Sequence, residues 1–520
     1  MRGVSARLRT AKDVPAVWAF SGALLFGLAA QGMGLLNKFS YHDDIFSLFQ
    51  MGETITSGRW MLYVLGVLEI LVFGDGHFSL PLLNGLFSLL CVGLSAGLTV
   101  HMLKIRSRML SALLGCVAAS FPMLTALFGF MFAAPYYMLA MLMMTACGVL
   151  TSEKKTWWVK LLGCLLGGCS VGIYQAFLPM LLTLILLSDM LRLVEGEEDF
   201  ADLWKTLLTQ AACICGVMAV YLAGSRFFLS RYGLELSPYM GLNEAGSLPF
   251  STYLGRAVRA YHAFFQPARN VSWDMYPQHV YGLYYLTMGL NLVFGAALFC
   301  RIRRRHWGKA LLFAAMLALY PLGCNFIYVL SAKVHGLMMY GQVMHFTLLV
   351  LLADQMRLQR PRLRRSAVRT AAAVLAMISV MYARYDNQCY LKTAFQQQEA
   401  ISWDTELIAR IKSAQGYRDE LPVAWVNREE MADASLYNMD ELNSLSLTGY
   451  NEDIETYLNN WAWERFLQRW CGFGADMYFG EEVENWPEVR AMSCYPADGS
   501  ILVVNDVVVV KFGEGGSGDV

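Results

Sequence analysis

The chain has 520 residues, of which 56% are hydrophobic and 16% charged, and its mean hydropathy is +0.40. Those values exclude a disordered, collagen-like or disulfide-scaffold protein and predict an all-α polytopic membrane protein. Lys plus Arg equals Asp plus Glu at 41 each, but the charges are segregated: from Asp386 onward there are 24 acidic and 9 basic residues, and before it 17 and 32. The bases flank apolar runs, where membrane lipid head groups are the natural partner, and no basic groove points to nucleic acid.

A membrane span needs about 20 apolar residues. Eleven runs qualify in chain order: 14–36, 79–103, 109–129, 133–150, 157–172, 176–191, 205–229, 279–300, 309–330, 341–356 and 367–384. The first follows Arg2, Arg7, Arg9 and Lys12 without a small-residue cleavage site, so it is expected to be a retained span. The stretch 157–191 is too long for one span and is split at Tyr174–Gln175, between Gly172 and Pro179. Nine of the twelve cysteines lie in or beside these runs, where a thiol behaves as a small hydrophobe; the three in the tail make no framework.

Orientation follows from the positive-inside rule. With a cytoplasmic N-terminus, the inner segments hold 19 Lys or Arg in 55 residues and the outer segments 7 in 107. Moving the parity by one span destroys the pattern. The first large loop (37–78), the 230–278 loop and the tail then share the outer face. Few ionisable groups lie inside the spans and no internal repeat is visible, so chemistry is expected at the outer interface rather than along a transport path.

In the first outer loop Ile45, Leu48, Phe49, Gly52 and Ile55 follow helical spacing, with Asp43 and Asp44 at the start and Gly58 at the end of the helix so predicted. Residues 61–73 are apolar but short, as in an interfacial helix. Two adjacent carboxylates beside a membrane can serve as a general base or hold a metal; the plain alternative is a helix cap and a solvated acidic pair. His42 beside them is weak evidence for a metal site.

The Asp43–Asp44 pair followed by Ser57-Gly58-Arg59-Trp60 resembles the Gtr type-II glucosyltransferases, of the GT-C class of integral membrane glycosyltransferases. Gly172-Ile173-Tyr174-Gln175-Ala176-Phe177 is also similar, as is Tyr495-Pro496-Ala497-Asp498-Gly499 before an Ile/Val hairpin. The resemblance implies a multi-pass enzyme of the bacterial cytoplasmic membrane. Such an enzyme moves a hexose, with inversion, from a polyprenyl-phosphate-linked sugar to a surface glycan acceptor such as O-antigen. It implies that Asp44 or Asp43 is the base. Enzymes of this kind often work without a metal, which counts against a cofactor at the pair.

That chemistry needs one carboxylate to deprotonate the acceptor and cations to hold the phosphate. Candidate cations are Arg59, Arg226, Lys333, His335 and Arg384, each of which can instead snorkel to head groups. Tyr174 and Gln175 are candidates to line a sugar pocket, or simply a polar break between spans. The 230–278 loop carries Tyr253, Tyr261, His262, Gln266, Arg269, Trp273, Asp274 and Tyr276, a mixture equally suited to sugars and to a membrane-interface belt.

Residues 1–384 are thus expected to form the transmembrane domain and 385–520 an extracytoplasmic α+β domain. The latter is predicted to have helices over 395–414 and 452–470, a strand over 421–426, and a hairpin turning at Asn505-Asp506. Its Trp403, Trp425, Trp461, Trp463, Trp470 and Trp486 suit a small core better than a glycan site. Two non-catalytic readings compete with the enzyme: a transporter or partner subunit of a glycan assembly complex, which requires a polar pathway, and a sensor, which requires a cytoplasmic output domain. Neither feature is visible.

Overall fold

The computed structural model describes residues 14–39, 43–46, 51–74, 79–152, 155–196, 199–238, 248–267, 278–356, 361–428, 445, 463–478 and 483–514. His42, Arg269, Trp273, Asp274, Tyr276 and Trp461 lie outside the described residues. The chain divides into two compact units. One comprises Met1–Lys38, Ser47–Cys389 and Ser444–Tyr450; the other comprises Phe39–Phe46, Tyr390–Asn443 and Asn451–Val520.

The first unit is all-α among the described residues, and each of the eleven apolar runs is helical. Among the described residues, nine helices are long and apolar enough to cross a membrane, and ten if the pair Arg108–Ser120 and Pro122–Phe128, bent by 43°, is one span. Pro122 accounts for the bend, because it cannot donate into the preceding turn. Trp157–Ile173, with 17 residues, is a shorter apolar helix. It ends where Tyr174 turns extended at φ −153°; Gln175–Phe177 makes one tight turn, and Leu178–Glu195 resumes with Pro179 in its first turn.

Burial separates inner from outer helices. The most apolar windows of Gln175–Glu195 and Gly336–Gln355 are 83% and 89% buried, whereas that of Phe200–Tyr232 is only 17% buried. Leu25, Leu208, Phe227 and Leu292 lie on the outward surface. A surface this apolar is a liability in water and a fit in lipid. Gln31, buried inside, donates through Nε2 to Thr125 Oγ1 at 2.9 Å and Asp386 Oδ2 at 3.3 Å, tying the first long helix to the last.

Two sequence expectations are corrected here. The 230–278 loop contains a helix, Phe250–Phe265, that buries Arg256, Ala260, Ala263 and Phe264 and exposes Phe250, Leu254 and Val258. The helices expected over 367–384 and 395–414 are one helix, Pro361–Ser413, of 53 residues. No Pro or Gly interrupts the chain between Pro361 and Gly416. At 1.5 Å per residue it extends roughly 80 Å, more than twice a bilayer core, and its residues from Tyr390 onward belong to the second unit.

The second unit is a small α+β domain. Strands β1 (Val423–Val426), β2 (Ile501–Val504) and β3 (Val507–Lys511) form a sheet of order β1-β3-β2. β3 pairs parallel to β1, with Val423 opposite Val508, and antiparallel to β2, with Val504 opposite Val507. Asn505 and Asp506 have φ of 51° and 60°, the left-handed pair that a two-residue hairpin of this hand requires.

Strand alternation gives the sheet two buried faces. Val423, Val508 and Val510 meet Leu407, Ile411, Trp463 and Phe466 on one face. Ala424, Val426, Val507 and Val509 meet Val483, Val489 and Met492 on the other. Trp463 is fully buried, Trp403, Trp425 and Trp470 pack around the first cluster, and Trp486 packs on the second. These indoles are core residues. Asp404 is buried beside them and accepts from Trp463 Nε1 at 2.8 Å, while the Arg428 guanidinium lies 4.3 Å from the Trp463 ring centroid.

Candidate functional site

In the first unit the site is built on a turn. Helix Met51–Thr56 ends as Gly58 N donates to Ile55 O at 2.9 Å and Arg59 N to Thr54 O at 2.8 Å. Gly58 supplies the left-handed residue, φ 73°, that such a helix end requires. A Cβ there would also lie 2.6 Å from the Tyr221 hydroxyl, so the turn is pressed against its neighbour. Helix Trp60–Phe73 follows directly.

The turn docks on the break after Ile173, more than a hundred residues away in sequence. Gln175 Nε2 donates to Ser57 O at 3.1 Å and to Tyr221 Oη at 3.4 Å. Trp60 Nε1 donates to Tyr221 O at 3.2 Å. The Trp60 indole stacks on Phe228, with centroids 5.8 Å apart, and fills space that only glycines leave open. A Cβ at Gly172 or Gly224 would come within 2.7 or 2.4 Å of it. Arg59 donates through Nη1 to the Tyr137 hydroxyl at 3.2 Å, and its guanidinium carbon lies 5.3 Å from the Tyr174 ring centroid. Tyr137 and Tyr174 stack at 4.4 Å.

Of the predicted residues, Arg59, Tyr174 and Gln175 therefore share one cluster. Tyr137 and Tyr221 complete it and were not singled out from the sequence. Tyr137 stands in a Tyr-Tyr pair at the start of an apolar run, the only signal available. A guanidinium held by a hydroxyl on one side and an aromatic face on the other is preorganised for a planar, bidentate anion.

The remaining cations divide. Lys333 is exposed, and its carbonyl accepts from Ser331 Oγ at 2.5 Å. His335 is half-buried; burial, reinforced by the Lys333 charge, lowers its pKa to about 4, so it is neutral near pH 7. Arg256 and Arg259, not selected from the sequence as cations, donate through Nη1 to Val329 O and Ala332 O at 3.4 Å each, bracing this loop. Arg226 and Arg384 are exposed. Arg384 lies within the helix Pro361–Ser413.

Asp43 and Asp44 belong to the second unit. They open the short helix Asp43–Phe46; Asp44 is 1% exposed and Asp43 half-buried. Ile45 is fully buried in the cluster of Leu407, Trp463 and Phe466. Of the amphipathic helix expected from Ile45 to Thr56, Asp43–Phe46 and Met51–Thr56 are helical among the described residues, the first in one unit and the second in the other, and Leu48 and Phe49 lie outside the described residues. Ile45 looked like part of the same apolar face as Ile55, but its partners come from the far end of the chain, which periodicity cannot reveal. Among the described residues no group of three His, Cys, Asp or Glu side chains is placed to hold a metal ion.

The helices and their apolar outer surface define a multi-pass membrane protein, and the Arg59 cluster is a restrained guanidinium among its helices. Residues 32–346 match the family of glucosyl transferase GtrII, more than half of the chain, and the chain belongs to that family. It is a membrane glycosyltransferase. The matched region contains Asp43, Asp44, Arg59, Tyr174, Gln175, Lys333 and His335. No curated protein and no solved structure matches the chain.

Proposed function

We propose that the protein transfers a hexose, glucose in keeping with its family, from a polyprenyl-phosphate sugar to a surface glycan at the outer face of the bacterial cytoplasmic membrane. The N-terminus is then cytoplasmic and the tail extracytoplasmic. Asp44 or Asp43 takes the proton of the acceptor hydroxyl as that oxygen bonds to the anomeric carbon. The anomeric carbon–oxygen bond to phosphate breaks on the opposite face, so configuration inverts, and polyprenyl phosphate leaves with its negative charge. Arg59 holds that charge, with Lys333 a second cation. Tyr174 and Gln175 supply hydrogen bonds or ring surface to the sugar. A phosphate is already a good leaving group, so no second carboxylate is required as acid.

The observation that carries this reading is the docking of Ser57-Gly58-Arg59-Trp60 on Gly172-Ile173-Tyr174-Gln175, which fixes Arg59 between Tyr137 and Tyr174. A transporter has no need to immobilise a guanidinium in this way. The test is conversion of Asp43 and Asp44, singly and together, to Asn, with transfer followed from synthetic polyprenyl-phosphate glucose in membranes. Transfer by the single variants should identify the base. Full transfer by the double variant would refute the assignment.

A further inference from the structure

We infer that the C-terminal unit is a positioning element of the catalytic apparatus: it clamps the Asp43–Asp44 segment on both sides, and Arg469 is the residue that fixes it. The inference rests on the carboxylate role proposed above. Three observations carry it. The segment Phe39–Phe46 is grouped by its contacts with residues beyond Tyr390, although it is separated from them by about 340 positions. Before the pair, Phe39 stacks on Tyr390, with ring centroids 6.2 Å apart and planes inclined by 22°. After it, Ile45 is 0% exposed in the same cluster as Leu407, Trp463, Phe466 and Val508.

The third contact explains why the backbone is held as well as the side chains. Arg469, on helix Trp463–Trp470, donates through Nη1 to the carbonyl of Ile45, the residue directly after Asp44. A guanidinium on a carbonyl is a charge-assisted bond, stronger than one between neutral groups. Asp44 thus sits between a buried anchor and a ring stack, on a backbone that an arginine from the tail holds in place. A module that only recruits acceptor glycan has no need to bury part of the first loop in its own core.

The experiment uses the full-length protein in membranes or detergent. Hydrogen exchange is read over residues 39–46, and turnover and donor KM are measured with synthetic polyprenyl-phosphate glucose, comparing Arg469→Ala, Arg469→Lys and Phe39→Leu with wild type. The clamp predicts at least a tenfold loss of exchange protection at 43–46 in Arg469→Ala. It also predicts a fall in kcat on the order of 100-fold, donor KM within twofold of wild type, and substantial recovery of both in Arg469→Lys. A merely structural role would lower the amount of folded protein without separating kcat from KM. If Arg469→Ala unfolds the tail, seen as fast exchange across 463–514, Phe39→Leu carries the test, because Phe39 lies outside the tail's own sequence. Wild-type protection and wild-type kcat in Arg469→Ala and Phe39→Leu would overturn the clamp. Lost protection with unchanged kcat, together with full transfer by the Asp43→Asn, Asp44→Asn double variant, would leave the clamp standing and remove the carboxylate role instead.

Discussion

At the scale of single residues the site is a set of held groups. Arg59 is restrained by a hydroxyl at 3.2 Å and an aromatic face at 5.3 Å. A lysine can satisfy one of these but not both, and it binds phosphate as a point charge rather than as a fork. Arg59→Lys should therefore raise donor KM by about tenfold and Arg59→Ala by about 100-fold, the range of a charge-assisted bond lost at a shielded site; steady-state kinetics with varied donor checks both. His335 makes a different prediction. Its folded pKa, about 4, lies below the 6.5 of free imidazole, because burial and Lys333 disfavour the charged form. The unfolded chain therefore binds a proton below about 6.5 that the folded chain refuses, and stability falls as pH drops from 6.5 towards 4. Above 6.5 His335 contributes no pH dependence. His335→Gln should leave donor KM flat between pH 6.5 and 8.5, as in wild type, and weaken the loss of melting temperature on acidification. A donor KM that rises through pH 6.5 only in the wild type would instead show a charged imidazole on the phosphate.

At the scale of elements, two glycines and one long helix set the geometry. Gly172 and Gly224 admit the Trp60 indole, and an alanine at either would push a Cβ to within 2.7 or 2.4 Å of it. The indole is stacked on Phe228 and bonded to Tyr221 O, so it has no easy retreat. Gly172→Ala and Gly224→Ala should each cost about 1–3 kcal/mol, the range for overpacking, and displace Arg59 with the turn. The checks are a lowered melting temperature in detergent and a transfer rate reduced more in Gly172→Ala than in Gly32→Ala, where a Cβ meets nothing within 4 Å. The apolar runs were legible in sequence because hydrophobicity is a local property, and the break at Tyr174 was legible because Gly172 and Pro179 bracket it. The helix Phe250–Phe265 was hidden by its own amphipathicity: Arg256 and Arg259 read as loop residues until their carbonyl partners on Val329 and Ala332 are known. Helix Pro361–Ser413 was divided at its change from apolar to polar, although nothing between Pro361 and Gly416 stops a helix.

At the scale of the whole molecule, the sequence places Asp43 and Arg59 in one loop, whereas the structure assigns them to different compact units. No local pattern could reveal this, because Ile45 finds its core partners among residues 400–512. The motifs were readable as motifs; their distribution over two units depends on contacts between the two ends of the chain. The proposed topology puts the tail outside, and Asp506, in the hairpin turn with a largely exposed side chain, offers a probe. Asp506→Cys should react with a membrane-impermeant maleimide in intact spheroplasts, above the level of the native chain. Reaction only after the membrane is opened would reverse the orientation and remove the outer-face chemistry with it.

The most direct measurement is transfer of glucose from synthetic polyprenyl-phosphate glucose by membranes holding equal amounts of wild type, Asp43→Asn, Asp44→Asn and the double variant. One single variant and the double should lose roughly 100- to 10,000-fold in kcat, the contribution of a positioned general base, with donor KM little changed. Undiminished kcat in the double variant would contradict a catalytic role for the carboxylate pair.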